Sequence, residues 1–177
     1  MTHIVLYIAT TKDGFIADSN GGIDWLPQTL EETHGQDYGY GAFYQTVDAL
    51  VMGRKTYEQI VSFGDWPYPG KPTYVFTHTP LQTDNPDITF LSDDIPKFIA
   101  DLQNHHVKKL WVVGGAGLIE SFYTDGRIDE VIVTVFPKEI ASGILLPTVE
   151  HAVLENSINF GGNVVQNQYL IQHDHFV

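Results

Sequence analysis

The order strand, glycine, helix occurs twice in this chain and constrains its fold more than any other feature. Asp48-Ala49-Leu50-Val51-Met52 reads as a buried strand, Gly53 as a sharp exit, and Arg54 through Val61 as a helix. Lys109-Leu110-Trp111-Val112-Val113 has the same order, running into Gly114-Gly115-Ala116-Gly117 and then Leu118-Ile119-Glu120-Ser121-Phe122-Tyr123 as a helix. An apolar run without polar alternation is the pattern of a strand covered on both faces, as in a parallel sheet with helices above and below it. A glycine at the exit lets the chain turn tightly. It also lets an anion approach the free N–H groups at the positive end of the following helix.

The other segments fit around such a sheet. Ile4 to Ala9 is a continuous apolar, β-rich run, expected to be central. Asp13-Gly14 predicts a turn, Phe15-Ile16-Ala17 a short return, and Ser19-Asn20-Gly21-Gly22 a loop. Tyr40, Phe43 and Tyr44 recur at helical spacing and predict a short amphipathic helix from about Asp37 to Val47. Past Pro67, Pro69, Gly70 and Pro72, Thr73 to Thr77 is a third strand, punctuated by His78-Thr79-Pro80, and Ile88 to Leu91 is another. Asp94 is the expected N-cap of a helix that runs to about His105, with Pro96 in its first turn. Glu130 to Phe136 is strand-like, and Ala152 to Ile158 with Val164 to Gln172 alternate enough for an antiparallel hairpin. The predicted class is α/β: a three-layer α/β/α domain over 1–177, with a mainly parallel mixed sheet finished by that C-terminal hairpin. At 177 residues, 43% of them hydrophobic, the chain has the size and apolar content of one such domain.

Charge narrows the function. Nine basic against 22 acidic residues give a formal charge of −13, a field that repels a nucleic-acid backbone or an anionic membrane. Neither partner is expected. An anionic ligand needs cations placed locally, and Arg54 and Lys55, with the Thr56 hydroxyl, stand together at one predicted helix start. The chain has no cysteine, which removes disulfides, thiolate metal sites and cysteine nucleophiles. The apolar run after Met1-Thr2-His3 is too short for a signal-peptide core or a membrane span, so a cytoplasmic location is expected. His105-His106 and the tail pair His173 and His175 lack the spacing of a metal site, and surface histidines are the expectation.

Either glycine turn alone is equally well read as a tight connection into a helix. The second has no G-x-G-x-x-G spacing, which disfavours an ordinary Rossmann dehydrogenase. Together with three further segments they carry a specific resemblance. Ile8-Ala9 with Lys12-Asp13-Gly14-Phe15-Ile16-Ala17, Ile23-Asp24-Trp25-Leu26, Val51-Met52-Gly53-Arg54-Lys55-Thr56-Tyr57, Tyr74-Val75-Phe76-Thr77 and Val112-Val113-Gly114-Gly115-Ala116-Gly117 stand in the order of the dihydrofolate reductase superfamily. The chain most resembles the branch similar to the C-terminal reductase domain of the bacterial riboflavin-biosynthesis protein RibD, over residues 4 to about 147.

The resemblance implies an NADPH-dependent reductase that transfers a hydride to a small heterocycle or a ribosylaminopyrimidine, as a 5-amino-6-(5-phosphoribosylamino)uracil reductase does. It implies that Ala9 and Ile16 border the nicotinamide, that Gly53, Arg54, Lys55 and Thr56 grip the phosphates, and that Thr77 and His78 lie beside the 2′-phosphate. Gly114 and Gly115, joined by a cis peptide in the family, pass under the cofactor, and Ala116, Gly117 and Leu118 begin the pyrophosphate-binding helix. Trp25 and Thr134 match residues beside the substrate. No metal or flavin is implied, and a homodimer is, which Tyr38, Tyr40, Phe63, Trp66 and Tyr68 as surface aromatics would also favour.

The substrate side departs from the folate reductases, which carry one acid in the helix after Trp-Leu-Pro. Here Leu26-Pro27 is followed by Gln28-Thr29-Leu30-Glu31-Glu32, and Glu31, Glu32 and Asp37 are stand-ins that align only with a shift. Asp37, and Asp24 beside Trp25, are the candidate proton relays, against the competing reading of surface and helix-start charges. Dihydrofolate reduction and non-catalytic NADP binding are the alternatives to the riboflavin-type reductase.

Overall fold

The computed structural model describes residues 1–27, 31–79, 81–92, 94–148 and 150–173. Among the described residues ten strands and four helices follow one another: β1 (His3–Thr11), β2 (Phe15–Ala17), α1 (Tyr40–Thr46), β3 (Ala49–Gly53), α2 (Arg54–Ser62), β4 (Thr73–Phe76), β5 (Ile88–Leu91), α3 (Ile95–Asn104), β6 (Lys109–Gly114), α4 (Ala116–Thr124), β7 (Glu130–Phe136), β8 (Ile144–Leu145), β9 (Ala152–Asn159) and β10 (Val165–Ile171). The hydrogen-bonded order of the large sheet is β5-β4-β3-β6-β1-β7-β10-β9, and β2 pairs with β8 in a second, two-stranded sheet. This is the dihydrofolate-reductase-like α/β fold. Two compact units divide it, Met1–Leu6 with Val47–Ile128 and Tyr7–Thr46 with Asp129–Val177.

The first unit is the parallel part. β3 pairs in parallel with β4 and β6, β4 with β5, and β6 with the first residues of β1. Flanked on both sides, β3 buries Ala49, Leu50, Val51 and Met52 completely, as its unbroken apolar run requires. Helices cover both faces. Val75 and Phe90 are register partners, and Tyr57 of α2 meets Phe90 edge-on at 5.3 Å. Phe76, one residue along and so on the opposite face, meets Phe98 of α3 at 5.2 Å and Phe122 of α4 at 6.4 Å. Phe122 is wholly buried, and covering a side chain of that size contributes about 1.5–3 kcal/mol. The predicted Asp94 cap is present, its carboxylate accepting the Lys97 N–H at 2.8 Å. Asp48 stands outside the strand predicted to contain it. Its carboxylate accepts the N–H groups of Lys108 and Lys109 at 2.8 Å each and ties the entrance of β3 to that of β6.

The second unit holds the antiparallel strands. β10 lies between β7 and β9 and is antiparallel to both, which is the predicted hairpin. Its turn runs through Gly161, Gly162 and Asn163, all at positive φ, a run that glycine and asparagine tolerate best. α1 begins three residues later than predicted. Tyr38 and Gly39 are both in the left-handed region, which cannot continue a helix, and Asp37 accepts the N–H groups of Gly39 and Gly41 instead. β8 had no signal in the sequence, being two exposed residues long. It exists because Gly143 has no side chain. A Cβ there would overlap the Ala17 carbonyl oxygen.

The surface-aromatic expectation is corrected for most of its residues. Tyr68 is buried against Trp111 at 5.4 Å, Trp66 packs between Tyr57 and Tyr68, and Tyr40 stacks on Tyr44. Phe63, 63% exposed, is the one of the five that lies open to solvent.

Candidate functional site

The first unit gathers the residues expected to hold phosphates. Gly53 and Gly114 end neighbouring parallel strands, and a Cβ on Gly53 would lie 3.8 Å from the Gly115 nitrogen and 3.9 Å from the Gly114 oxygen. The two glycine turns therefore lie side by side. Each N-caps a nine-residue helix, Gly53 for α2 and Gly115 for α4, and having no side chain neither covers the N–H groups behind it. α3, which starts on Asp94, is capped by its carboxylate and offers no such surface. The Gly114–Gly115 peptide is cis. A Cβ at Gly115 would stand 3.2 Å from Thr56 Oγ1, so that hydroxyl lies over the turn. Gly117 faces open space, and Ala116 and Leu118 are half-buried beside it.

Phe76 pairs with Gly53, which brings the end of β4, and Thr77 and His78 after it, next to the α2 start. The Thr77 hydroxyl accepts the Thr79 N–H at 3.1 Å and donates to the Thr79 carbonyl at 3.0 Å, closing a turn on itself, while His78 is exposed. Arg54 meets Glu58 at 3.4 Å one helical turn along, a half-exposed pair that holds the guanidinium only weakly. Lys55 is exposed. Two helix starts without side-chain caps, side by side with two cations and two hydroxyls around them, fit the phosphates of a dinucleotide. A concavity of about 590 Å³ at the other end of α4 does not: Asp94, Glu120 and Asp125 line it and would repel phosphate.

The second unit gathers the residues expected beside the substrate. Trp25 meets Phe136 edge-on at 6.3 Å, and its buried indole Nε1 has no hydrogen-bond partner among the described residues. Thr134 is buried and accepts from Gln166 Nε2 at 2.9 Å. Ala9 and Ile16 are half-buried on β1 and β2. Tyr7 stacks on Phe43 at 4.0 Å, and burial pushes its phenol above the ordinary tyrosine value. Burial likewise drives Tyr40 up to about 12, with Tyr44 and Tyr7 adding to the shift, so both phenols stay protonated at neutral pH.

The two candidate acids take different places. Asp24 is exposed in a turn closed by the Leu26 N–H on the Ile23 carbonyl at 2.9 Å. Asp37 is exposed too, and the N–H groups of Gly41 and Gly39 hold its carboxyl below the usual range. Its two oxygens are spent at 3.0 and 2.9 Å on those groups, which makes it a capping anion in this conformation. Glu31 and Glu32 are exposed, and Gln28 to Leu30 and Pro80 lie outside the described residues. Among the described residues no three His, Asp or Glu side chains could hold a metal, and no helix is long and apolar enough to cross a membrane. His105 and His106 are exposed, His173 contacts Asp129, and His175 lies outside the described residues.

Three residues that matter here carried little signal. Tyr7 is hidden in the apolar run of β1, and Gln166 in the alternation of β10. Asp13 was legible only as a turn former. Its carboxylate accepts the N–H groups of Ala141 at 2.9 Å and Ile140 at 3.1 Å, which fastens the β1–β2 turn to the segment after β7.

Known proteins resemble this chain in sequence and in fold. The uncharacterized protein YwjB of Bacillus subtilis (strain 168) is 42% identical over 144 residues, 80% of each chain, and YyaP of the same organism is 29% identical over 94% of this chain and 93% of its own. A provisionally assigned riboflavin biosynthesis protein from Shewanella sp. PV-4 superposes with a TM-score of 0.83 at 29% identity, covering 97% of this chain and all of the other. The diaminohydroxyphosphoribosylaminopyrimidine deaminase/5-amino-6-(5-phosphoribosylamino)uracil reductase of Thermotoga maritima shares the fold, with a TM-score of 0.72 at 14% identity over 97% of this chain and 57% of that one. The family model of the RibD C-terminal domain matches residues 2–144, and the chain belongs to that family, which is related to the reductase of riboflavin biosynthesis.

Proposed function

We propose that this chain is an NADPH-dependent reductase acting on a small heterocycle of the ribosylaminopyrimidine kind. The observation that carries the reading is the closeness of the Gly53 and Gly114–Gly115 turns on neighbouring strands, each opening a helix without a side-chain cap. When bound, the cofactor supplies a hydride to a C=N or C=O carbon. Gly53, Arg54, Lys55 and Thr56 with Ala116, Gly117 and Leu118 hold its phosphates, and Arg54 and His78 select the 2′-phosphate. Ala9 and Ile16 border the nicotinamide, and Trp25 and Thr134 orient the substrate. A folate reductase has less support, because Asp37 spends its carboxylate on backbone N–H groups instead of presenting a proton. Titration with NADPH and with NADH, followed by turnover with dihydrofolate and with 5-amino-6-(5-phosphoribosylamino)uracil, tests the reading. Saturable NADPH binding and oxidation with the aminouracil alone are expected; a chain that binds neither nucleotide is not this reductase.

We also propose that the chain pairs as a homodimer. β9 supports this, since all eight of its residues are exposed at a sheet edge and Val153, Leu154 and Ile158 are among them. Light scattering at tens of micromolar should give twice the chain mass, and a monomer there would reject the pairing.

A further inference from the structure

Resting on the reductase reading, we propose that Gln166 is a positioning residue of the substrate face, fixing the Thr134 hydroxyl so that it meets the substrate as a hydrogen-bond donor. Gln166 stands directly opposite Thr134 in the antiparallel register of β10 and β7. Its amide nitrogen lies 2.9 Å from Thr134 Oγ1, 3.1 Å from the Tyr38 carbonyl oxygen and 3.3 Å from Tyr7 Oη. Two amide hydrogens therefore serve three oxygens, from β7, from the turn before α1 and from β1.

The directions of these bonds follow from what each group can do. A carbonyl only accepts, so the Tyr38 oxygen takes hydrogens from Gln166 and, at 3.4 Å, from Tyr7. Thr134 Oγ1 accepts from Gln166, so its own hydrogen is turned away from the amide, towards Tyr7 Oη or an acceptor on a ligand. The Tyr38 carbonyl sets which way round the amide sits, because with the amide turned over two oxygens would face each other. A Cβ on Gly39 would lie 3.9 Å from Gln166 Oε1 and equally close to the Phe160 ring, which itself packs edge-on against Tyr38. Gln166 thus pins the Asp37–Tyr38–Gly39 turn to the sheet while setting Thr134. It lies beyond residue 144, where the family match ends.

The discriminating variant is Gln166→Glu, which keeps the shape and replaces the donor by an acceptor. The Thr134 hydrogen then turns towards position 166, and the Tyr38 carbonyl faces an oxygen. Gln166→Leu removes the bonds without reversing them. With the full chain, NADPH affinity, steady-state NADPH oxidation with dihydrofolate and with 5-amino-6-(5-phosphoribosylamino)uracil, and carbon NMR of ring-labelled tyrosine are measured. We expect NADPH affinity unchanged, KM for the accepted probe raised about three- to tenfold, the scale of one lost charge-free hydrogen bond, and a smaller fall in kcat. The Tyr7 ring signal and its titration should move in both variants. A folded Gln166→Glu protein with the parental KM overturns the proposal while leaving the reductase reading intact. If the parent oxidises NADPH with neither probe, the reductase reading fails, and the substrate role of Gln166 falls with it.

Discussion

Arg54 and Asp13 show how the same local chemistry serves binding in one place and order in another. Arg54 has only a weak tie to Glu58, so its guanidinium is available to a phosphate at little cost. Arg54→Ala should weaken NADPH binding by about 1.5–3 kcal/mol, the worth of a charge-assisted hydrogen bond, and leave NADH nearly unchanged. Equal losses for both nucleotides, measured by titration calorimetry, would take Arg54 away from the 2′-phosphate. Asp13 is an anion held for structure. The Thr11 hydroxyl, with the N–H groups of Ala141 and Ile140, keeps its carboxyl below the ordinary range. Because the folded value is depressed, the stabilisation is present above the unfolded carboxylate pKa and is lost as pH falls through the folded value, below about pH 4. The gap in denaturation midpoint between the parent and Asp13→Asn should therefore be widest near neutrality and close in acid; a gap that persists at pH 2 would mean that the carboxylate charge is not what holds the turn. The cluster at the α2 start was legible at this scale because glycine, cation and hydroxyl adjoin in sequence. Tyr7 and Gln166 were not, since a residue in a strand reveals its neighbours only after the register is known.

At the scale of elements, the sequence read best where one strong local signal decides. β3, β5, β7 and the helix that begins on Asp94 follow from apolar runs and a capping carboxylate, and their placement needs no partner to be inferred. α1 was misplaced at its start because helical spacing does not register two left-handed residues, and β8 was missed because its cause, the closeness of Gly143 to Ala17, lies in tertiary structure. The Gly115 turn offers a test that keeps stability and binding apart. Its φ of −83° is ordinary for any residue, and the added methyl would need only a small movement of the Thr56 hydroxyl. Gly115→Ala should thus cost about 1 kcal/mol or less, the difference between glycine and alanine as an N-cap, while the methyl stands where a diphosphate would approach the α4 start. An NADPH affinity reduced far more than the denaturation midpoint is the expected pair of results. Full affinity in the folded variant would show that the phosphates do not pass this turn.

For the molecule as a whole, the acidic charge and the proposed anionic cofactor have to be reconciled. A formal charge of −13 gives a repulsive field at distances where a nucleotide is still approaching, whereas Arg54, Lys55 and the helix starts act only within a few ångströms. Salt separates the two. Charges farther apart than about 10 Å are screened at 0.1 M ionic strength, but hydrogen-bonded contacts with phosphate are screened much less. Adding salt should therefore remove the barrier to encounter before it weakens the bound state. We expect the association rate constant for NADPH, followed by stopped-flow fluorescence of the nicotinamide, to rise between about 0.01 and 0.15 M salt, a range over which the Debye length falls from about 30 to 8 Å. The dissociation rate should change little over the same range. Arg54→Ala should show the same upward trend from a lower affinity, because the repulsion belongs to the whole surface and not to that side chain. An association rate that falls steeply with salt would mean that the approach is steered by local cations and that the net charge of the chain is irrelevant to it.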